Sequence, residues 1–352
     1  MLIEKLTLQN FRNHRDTSLA LSPGVNVLVG RNAQGKTNLL EAVFLTCVGR
    51  GWRTNRDREM INFDAEIARV KTEVKRAFGR VAVEINLSRA AKKTIKINGI
   101  PVARMGELMG QVNCVFFSPD ELRLVKDAPN DRRRFLDIDI SQIDKTYFYA
   151  LLKYNKILLQ RNALLKSKTE DIMRGLDIWD AELAKVGEFI IARRTEFVKQ
   201  LGENVVKVHN YITNGKEQIR VGYEDITNGD FLAQLKAARE RDMRLRTTTV
   251  GPHRDDLKIT IDGRDVRSFA SQGQQRTVAL SLKLAELEIF RAATGEMPVL
   301  LLDDVFSELD TERQARLVNL LSKCQSIITS VDLANAARCG TIFNIKDGAI
   351  CG

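Results

Sequence analysis

Cysteine and histidine are both scarce: the 352 residues include five of the first and three of the second. Cys47, Cys114, Cys324, Cys339 and Cys351 are widely spaced and contain no Cys-x-x-Cys pair, which argues against a disulfide framework or a thiolate metal centre. His14, His209 and His253 lack the spacing of metal ligands, so any metal is expected to be held by oxygens. Long apolar runs are missing too. The run from Val299 to Leu302 falls far short of the ~18–20 residues a membrane span needs. Charges at Glu4 and Lys5 interrupt the N-terminal stretch where a secretory segment needs an apolar core. A cytoplasmic protein without membrane contact is the expectation.

What is present reads as globular: 44% hydrophobic and 28% charged residues, over a length that suggests about two domains. The net charge is +10. Most of it lies in residues 50–110, where 14 Lys and Arg stand against 7 Asp and Glu. Arg50, Arg53, Arg56 and Arg58 cluster there around Trp52, Gly49 and Gly51, which reads as a flexible basic loop able to track nucleic-acid phosphates.

Residues 2–8, 19–21 and 25–29 read as strands, and 36–48 as a helix with apolar residues at three- and four-residue steps. Residues 67–74 and 81–87 alternate as half-buried strands. Asn98-Gly99 sits where a tight hairpin needs positive φ. Two long helical stretches follow, 133–168 and 177–212, with Gly175 expected to break them and each arm at most roughly 55 Å long. Strand signals return at 219–223 and 257–261, before a helix, an apolar strand, a helix and another strand. The fold class is therefore α/β: a P-loop mixed sheet with an antiparallel region, plus an inserted mainly helical domain at 121–242 that divides a head of 1–120 and 243–352.

Gly30-Arg31-Asn32-Ala33-Gln34-Gly35-Lys36-Thr37 fits G-x-x-x-x-G-K-[ST] between a strand and a helix. Backbone amides in such a loop curl around phosphate oxygens, Lys36 reaches the outer phosphates, and Thr37 ligates Mg²⁺. The apolar strand 299–302 ends in Asp303 and Asp304, a Walker B pattern. Asp303 is the second Mg²⁺ ligand through water, and Asp304 the candidate to orient or deprotonate the attacking water. ATP and Mg²⁺ are the implied ligands.

Ser271-Gln272-Gly273-Gln274-Gln275-Arg276 opens a helix, with Ser271 as its N-cap. Its place between the phosphate loop and Walker B is similar to the signature motif of ABC ATPases, and Ser307-Glu308-Leu309-Asp310 resembles their D-loop. Asn10-Phe11-Arg12-Asn13, Phe117-Ser118-Pro119, the run from Asp131 to Asp137 and the run from Gly251 to Asp256 narrow the resemblance. Across essentially its whole length the chain resembles the RecF family of bacterial recombination mediators, relatives of SMC heads. That resemblance implies an ATP-dependent homodimer, with Ser271, Gly273 and Gln274 serving the nucleotide of the opposite protomer and Arg12 and Asn13 near their own. It implies binding of gapped, double- and single-stranded DNA, RecR and RecO as partners in loading RecA, and roles in replication, recombination, repair and the SOS response.

Departures from the ABC pattern qualify the carry-over. Asp304 replaces a longer catalytic Glu, which implies a weak, slow ATPase used as a switch. Ser330 stands where a switch histidine is usual, no lid glutamine lies near Phe117, and His253 reads as structural. The alternatives are a transporter's nucleotide-binding subunit, against which the basic loop and helical insertion weigh, and a P-loop phosphotransferase, which has no use for the Ser271 motif. A scaffold that merely retains the fold is at odds with complete Lys36, Thr37, Asp303 and Asp304.

Overall fold

The computed structural model describes residues 1–167, 171–227, 229–306, 310–331 and 340–351. At its centre the strand Val299–Leu302 is buried on both faces, as its unbroken apolar run requires. Leu300 and Leu302 enter one core; Val299 and Leu301 enter another. This strand belongs to a six-stranded sheet ordered Ala349–Cys351, Thr341–Lys346, Val25–Val29, Ser326–Ser330, Val299–Leu302 and Cys114–Phe117. All neighbours are parallel except the terminal hairpin. The sequence reading missed that hairpin, whose two strands are short and mostly exposed.

One core joins this sheet to the helix Lys36–Val48 and a second, antiparallel sheet. Its order is His14–Ala20, Leu2–Phe11, Ile67–Arg76, Gly79–Ser88, Thr94–Ile97 and Ile100–Pro101. The helix buries 11 of its 13 residues, so it lacks a polar stripe and is enclosed by both layers. Asn98 and Gly99 take φ of 52° and 82°, giving the expected hairpin turn. The other core holds the helix Gln272–Thr294, the long helices and a three-stranded sheet of Arg264–Asp265, Asp256–Ile261 and Ile219–Glu224.

The helical stretches depart from expectation in two ways. The first is two helices, Pro129–Ile143 and Lys145–Lys166, because Asp144 leaves helical geometry and caps the second by accepting from the amides of Thr146 and Tyr147. The second is one helix of 42 residues, Ile172–Thr213, about 63 Å long at the usual rise. Gly175 lies inside it and does not break it. A Cβ there would come within 2.8 Å of Leu164, so the glycine serves close packing of the helix pair. Lys168, the expected end of the first stretch, lies outside the described residues. None of the described helices is long and apolar enough to cross a membrane. Cys47, Cys114 and Cys324 are buried free thiols and Cys351 an exposed one; Cys339 lies outside the described residues.

The runs from Asp131 to Asp137 and from Gly251 to Asp256 meet in space. Arg132 is buried against Asp256, with bonds of 2.6 and 2.8 Å. Asp255 accepts from the Tyr223 hydroxyl and the Ile226 amide. His253 donates from Nε2 to the Thr248 carbonyl at 3.1 Å, which leaves Nδ1 to accept from the Tyr154 hydroxyl at 2.7 Å. Burial, reinforced by Arg254, Arg133 and Arg161, holds its pKa down at about 4. The folded pKa lies below the unfolded value of 6.5, so only the unfolded chain takes up this proton as pH falls between the two. Stability is therefore lost below about pH 6.5, by roughly 2–3 kcal/mol at pH 4.5 from this group. Denaturant unfolding of the wild type and His253→Gln at pH 7.5 and 4.5 checks this. The variant should lose less on acidification, although His14 and His209, also lowered by burial, keep some acid lability.

Candidate nucleotide site and its basic flank

The phosphate loop leaves the strand Val25–Val29 and turns into the helix Lys36–Val48. Ala33 and Gly35 carry φ of 64° and 110°, and Arg31, Asn32 and Ala33 form an exposed rim. Gly35 needs to be glycine twice over. Its φ is left-handed, and a Cβ would sit 2.7 Å from Asn13 Oδ1 and 2.8 Å from His14 Nε2. A Cβ on Gly30 would collide with the Ile345 carbonyl. Gln34 ties the loop to the C-terminal hairpin by accepting from the amides of Asp347 and Gly348 at 2.6 and 3.0 Å.

Lys36 is nearly buried. Its ammonium donates to the carbonyls of Gly30 and Arg31 at 2.6 and 2.9 Å, which leaves one of its three protons for a ligand. Burial lowers its pKa, and Asp304 and Asp303 oppose that shift. Thr37 donates to Asp303 at 2.8 Å. Thr329 donates to the same carboxylate at 2.8 Å and accepts from the Asp304 amide at 2.8 Å. Burial raises the Asp303 pKa despite both hydroxyls. A carboxylate whose burial is only partly offset by two neutral hydroxyls, beside a threonine oxygen, is a hard-oxygen donor set. Mg²⁺ fits it, and the glycine cradle fits phosphate.

Arg12 and Asn13 support this loop. Asn13 donates to the Gln34 carbonyl at 3.1 Å and accepts from Asn38 at 2.7 Å. Arg12 bonds the fully buried Glu41 at 2.9 Å, and Arg53 reaches the same carboxylate at 2.5 Å and also bonds Asn38. His14 bonds the Gly35 carbonyl at 3.0 Å and Thr17 at 3.1 Å, so loop and antiparallel sheet are braced together.

Of the four arginines expected on a flexible loop, Arg53 is thus drawn to the nucleotide side and Arg50 is half-buried, while Arg56 and Arg58 are exposed. The loop itself is anchored rather than flexible in design, because Trp52 stacks on Phe116 at 3.9 Å and meets the edge of Phe44 at 5.5 Å. Ser330 is buried at its strand end. Ser307, Glu308 and Leu309 of the expected D-loop and Asp332 lie outside the described residues.

Ser271 caps the helix Gln272–Thr294 in a reciprocal box, accepting from the Gln274 amide at 3.3 Å while Gln274 accepts from the Ser271 amide at 2.9 Å. Ser271 and Gly273 are exposed, and a Cβ on Gly273 would meet nothing nearer than Arg313 at 3.9 Å. Among the described residues, no hydrogen bond or ion pair joins Ser271, Gly273 or Gln274 to the phosphate loop or to Asp303. The sequence reading missed Glu41, Asn38, Thr329 and His14. Glu41 alone left a signal, since it stands four residues after Thr37 on the same helix face.

A family model described as the RecF/RecN/SMC N terminal domain matches residues 2–349. The DNA replication and repair protein RecF of Lachnoclostridium phytofermentans is 41% identical over 357 residues, covering 99% of each chain. The chain belongs to the RecF family of DNA replication and repair proteins. A solved structure of the recombination mediator protein RecF with ATP, in the RecFOR pathway, matches at TM-score 0.90 with 38% identity, covering 99% of this chain and 96% of that one. An SMC head bound to the C-terminal winged-helix domain of ScpA matches at TM-score 0.62 with 17% identity, over 99% of this chain and 96% of that one. RecF membership and the head fold agree with the expected ABC/SMC-type class and set aside the transporter and phosphotransferase alternatives.

Proposed function

We propose that this RecF-family chain is an ATP-gated DNA clamp. Two copies close on two nucleotides, each bound at the phosphate loop of one copy and covered by Ser271, Gly273 and Gln274 of the other. The observation that carries the reading is an exposed helix start, capped by Ser271, that among the described residues makes no hydrogen bond or ion pair to its own chain's phosphate loop. Within each copy, residues 1–120 and 243–352 act as the head and 121–242 as the helical insertion. Thr37 and Asp303 would hold Mg²⁺, which when bound neutralises charge developing on the transferred phosphate. Lys36 binds the outer phosphates. Asp304, turned by its φ of 48° off the end of the Walker B strand, orients the water. Its short side chain makes hydrolysis slow, so the nucleotide acts mainly as a removable adhesive.

Closure would bring the basic surfaces together. Arg56 and Arg58 are the exposed candidates for DNA phosphates; Arg53 is exposed as well but engaged by Glu41 and Asn38, and Arg50 is half-buried. Gapped duplex is the expected substrate, RecR and RecO the expected partners, and the cytoplasm the expected location. Light scattering with and without ATP and Mg²⁺ tests the clamp. Asp304→Asn should double in mass with ATP and stay closed, and should retain gapped DNA with an affinity that falls steeply between two salt concentrations. A monomer indifferent to ATP would sink the reading.

A further inference from the structure

Three consecutive arginines on the helix Pro129–Ile143 have different fates. Arg132 is closed by Asp256, as described. Arg133 donates to the Asp255 carbonyl and to Asn130 Oδ1, both at 2.7 Å, and Arg134 donates to the Trp52 carbonyl at 3.1 Å. Neither bonds a carboxylate among the described residues. Both line a cavity of about 300 Å³ whose walls also include Arg50 and Arg194. Arg194 is matched by Asp137 at 2.7 Å, and Asp137 is the one acid in the lining. Four guanidiniums against one carboxylate leave three positive charges in excess. His253, in the same wall, is neutral at pH 7.

This charge is held together at a cost. Arg50 makes no side-chain hydrogen bond or ion pair among the described residues, and burial followed by the nearby Arg134 pushes its pKa down. Burial and then Arg194 do the same to Arg133, against the pull of Asp256. Crowded, partly desolvated guanidiniums of this kind are relieved by an anion, and their planar donors suit tetrahedral oxygens. None of the lining residues belongs to the phosphate loop or Walker B. Arg134, bonded to the backbone of Trp52 next to Arg53 at Glu41, links the two places.

We propose that this cavity is a second phosphate-binding site, in which Arg133, Arg134 and Arg50 take a phosphate monoester dianion while Arg194, fixed by Asp137, forms the back wall. The dianion comes either from the terminal phosphate of a DNA strand or from a free phosphate or nucleotide. The nucleic-acid source rests on the clamp reading above; the anion site does not.

The full chain tests it in two arms. In the first, inorganic phosphate is titrated while thermal unfolding is followed, with sodium chloride matched for ionic strength. With the phosphate loop saturated by ATP and Mg²⁺, phosphate should raise the midpoint of the wild type and of Arg133→Lys but not of Arg133→Gln. In the second arm, a gapped duplex with a 5′-phosphate at the gap is compared with its 5′-hydroxyl counterpart by fluorescence anisotropy. A roughly tenfold preference for the phosphorylated end, lost in Arg133→Gln and kept in Arg133→Lys, identifies a strand end as the source. Phosphate stabilisation without any end preference supports the site with a free anion as its source. Phosphate stabilisation in a chain that binds no DNA at all sinks the DNA reading and leaves the site standing. The proposal is overturned if phosphate stabilises wild type and Arg133→Gln alike or neither, and the end preference is absent or survives in Arg133→Gln. ATP binding by each variant, which uses the separate cradle, confirms that it is folded.

Discussion

Lys36→Ala should weaken ATP binding by about 100-fold or more, the loss expected when a charged donor to phosphate disappears. Two features make the effect large. Its charge interacts with both Asp304 and Asp303, so its removal leaves two carboxylates facing a polyanionic ligand with less counter-charge. It also ties the carbonyls of Gly30 and Arg31, which otherwise turn partial negative charge toward the same ligand. Lys36→Arg should fail similarly, because a nearly buried point charge held by two carbonyls leaves no room for a planar fork. Calorimetric titration with ATP and Mg²⁺ reads the affinity directly. Ligand-induced stabilisation provides a second readout: at a hundredfold excess over the dissociation constant, the wild type should gain about 2.7 kcal/mol and Lys36→Ala close to none. An affinity within threefold of the wild type would show that the backbone amides alone hold the phosphates.

That lysine was legible in the sequence because its chemistry is local. Gly30, Gly35, Lys36 and Thr37 lie within eight residues, and one strand and one helix suffice to orient them. Asp303 and Asp304 were legible for a related reason, since an apolar run buried on both faces has to surface at its end. What escaped depends on which strands are neighbours. Thr329 reaches Asp303 because the strand Ser326–Ser330 is inserted between Val25–Val29 and Val299–Leu302, a parallel order that nothing in the spacing reveals. Glu41 looks like any helix carboxylate until the antiparallel sheet and the loop at Trp52 deliver Arg12 and Arg53 to it. The helical insertion failed differently. Periodicity marked its helical stretches, yet Asp144 is a cap in the middle of an apolar pattern, and Gly175 acts through Leu164 rather than through its own backbone freedom. Local propensity yielded to packing at both positions.

The helical insertion also contains the residue whose loss should most damage stability. Arg161, on the helix Lys145–Lys166, is fully buried and bonds Asp180 at 2.6 Å, Asp242 at 2.7 Å and the Thr248 hydroxyl at 2.8 Å. Its partners are themselves anchored. Asp180 also accepts from Arg239 at 2.8 Å, and Asp242 accepts from the amide and hydroxyl of Thr249. Two arginines thus balance two buried carboxylates and lock four separate chain segments. Arg161→Met fills similar space but leaves Arg239 to neutralise both acids. Breaking a buried pair from one side should cost about 3–5 kcal/mol, because the desolvated charges lose their counter-ion without regaining water. Urea unfolding followed by helical circular dichroism measures this. Adding Asp180→Asn and Asp242→Asn to Arg161→Met should recover more than half of the loss, since the uncompensated charges are then gone. If Arg161→Met costs under 1 kcal/mol, or the neutralised triple variant is no better than the single one, the network is not what holds the insertion together, and the apolar contacts of the helix Ile172–Thr213 carry it alone.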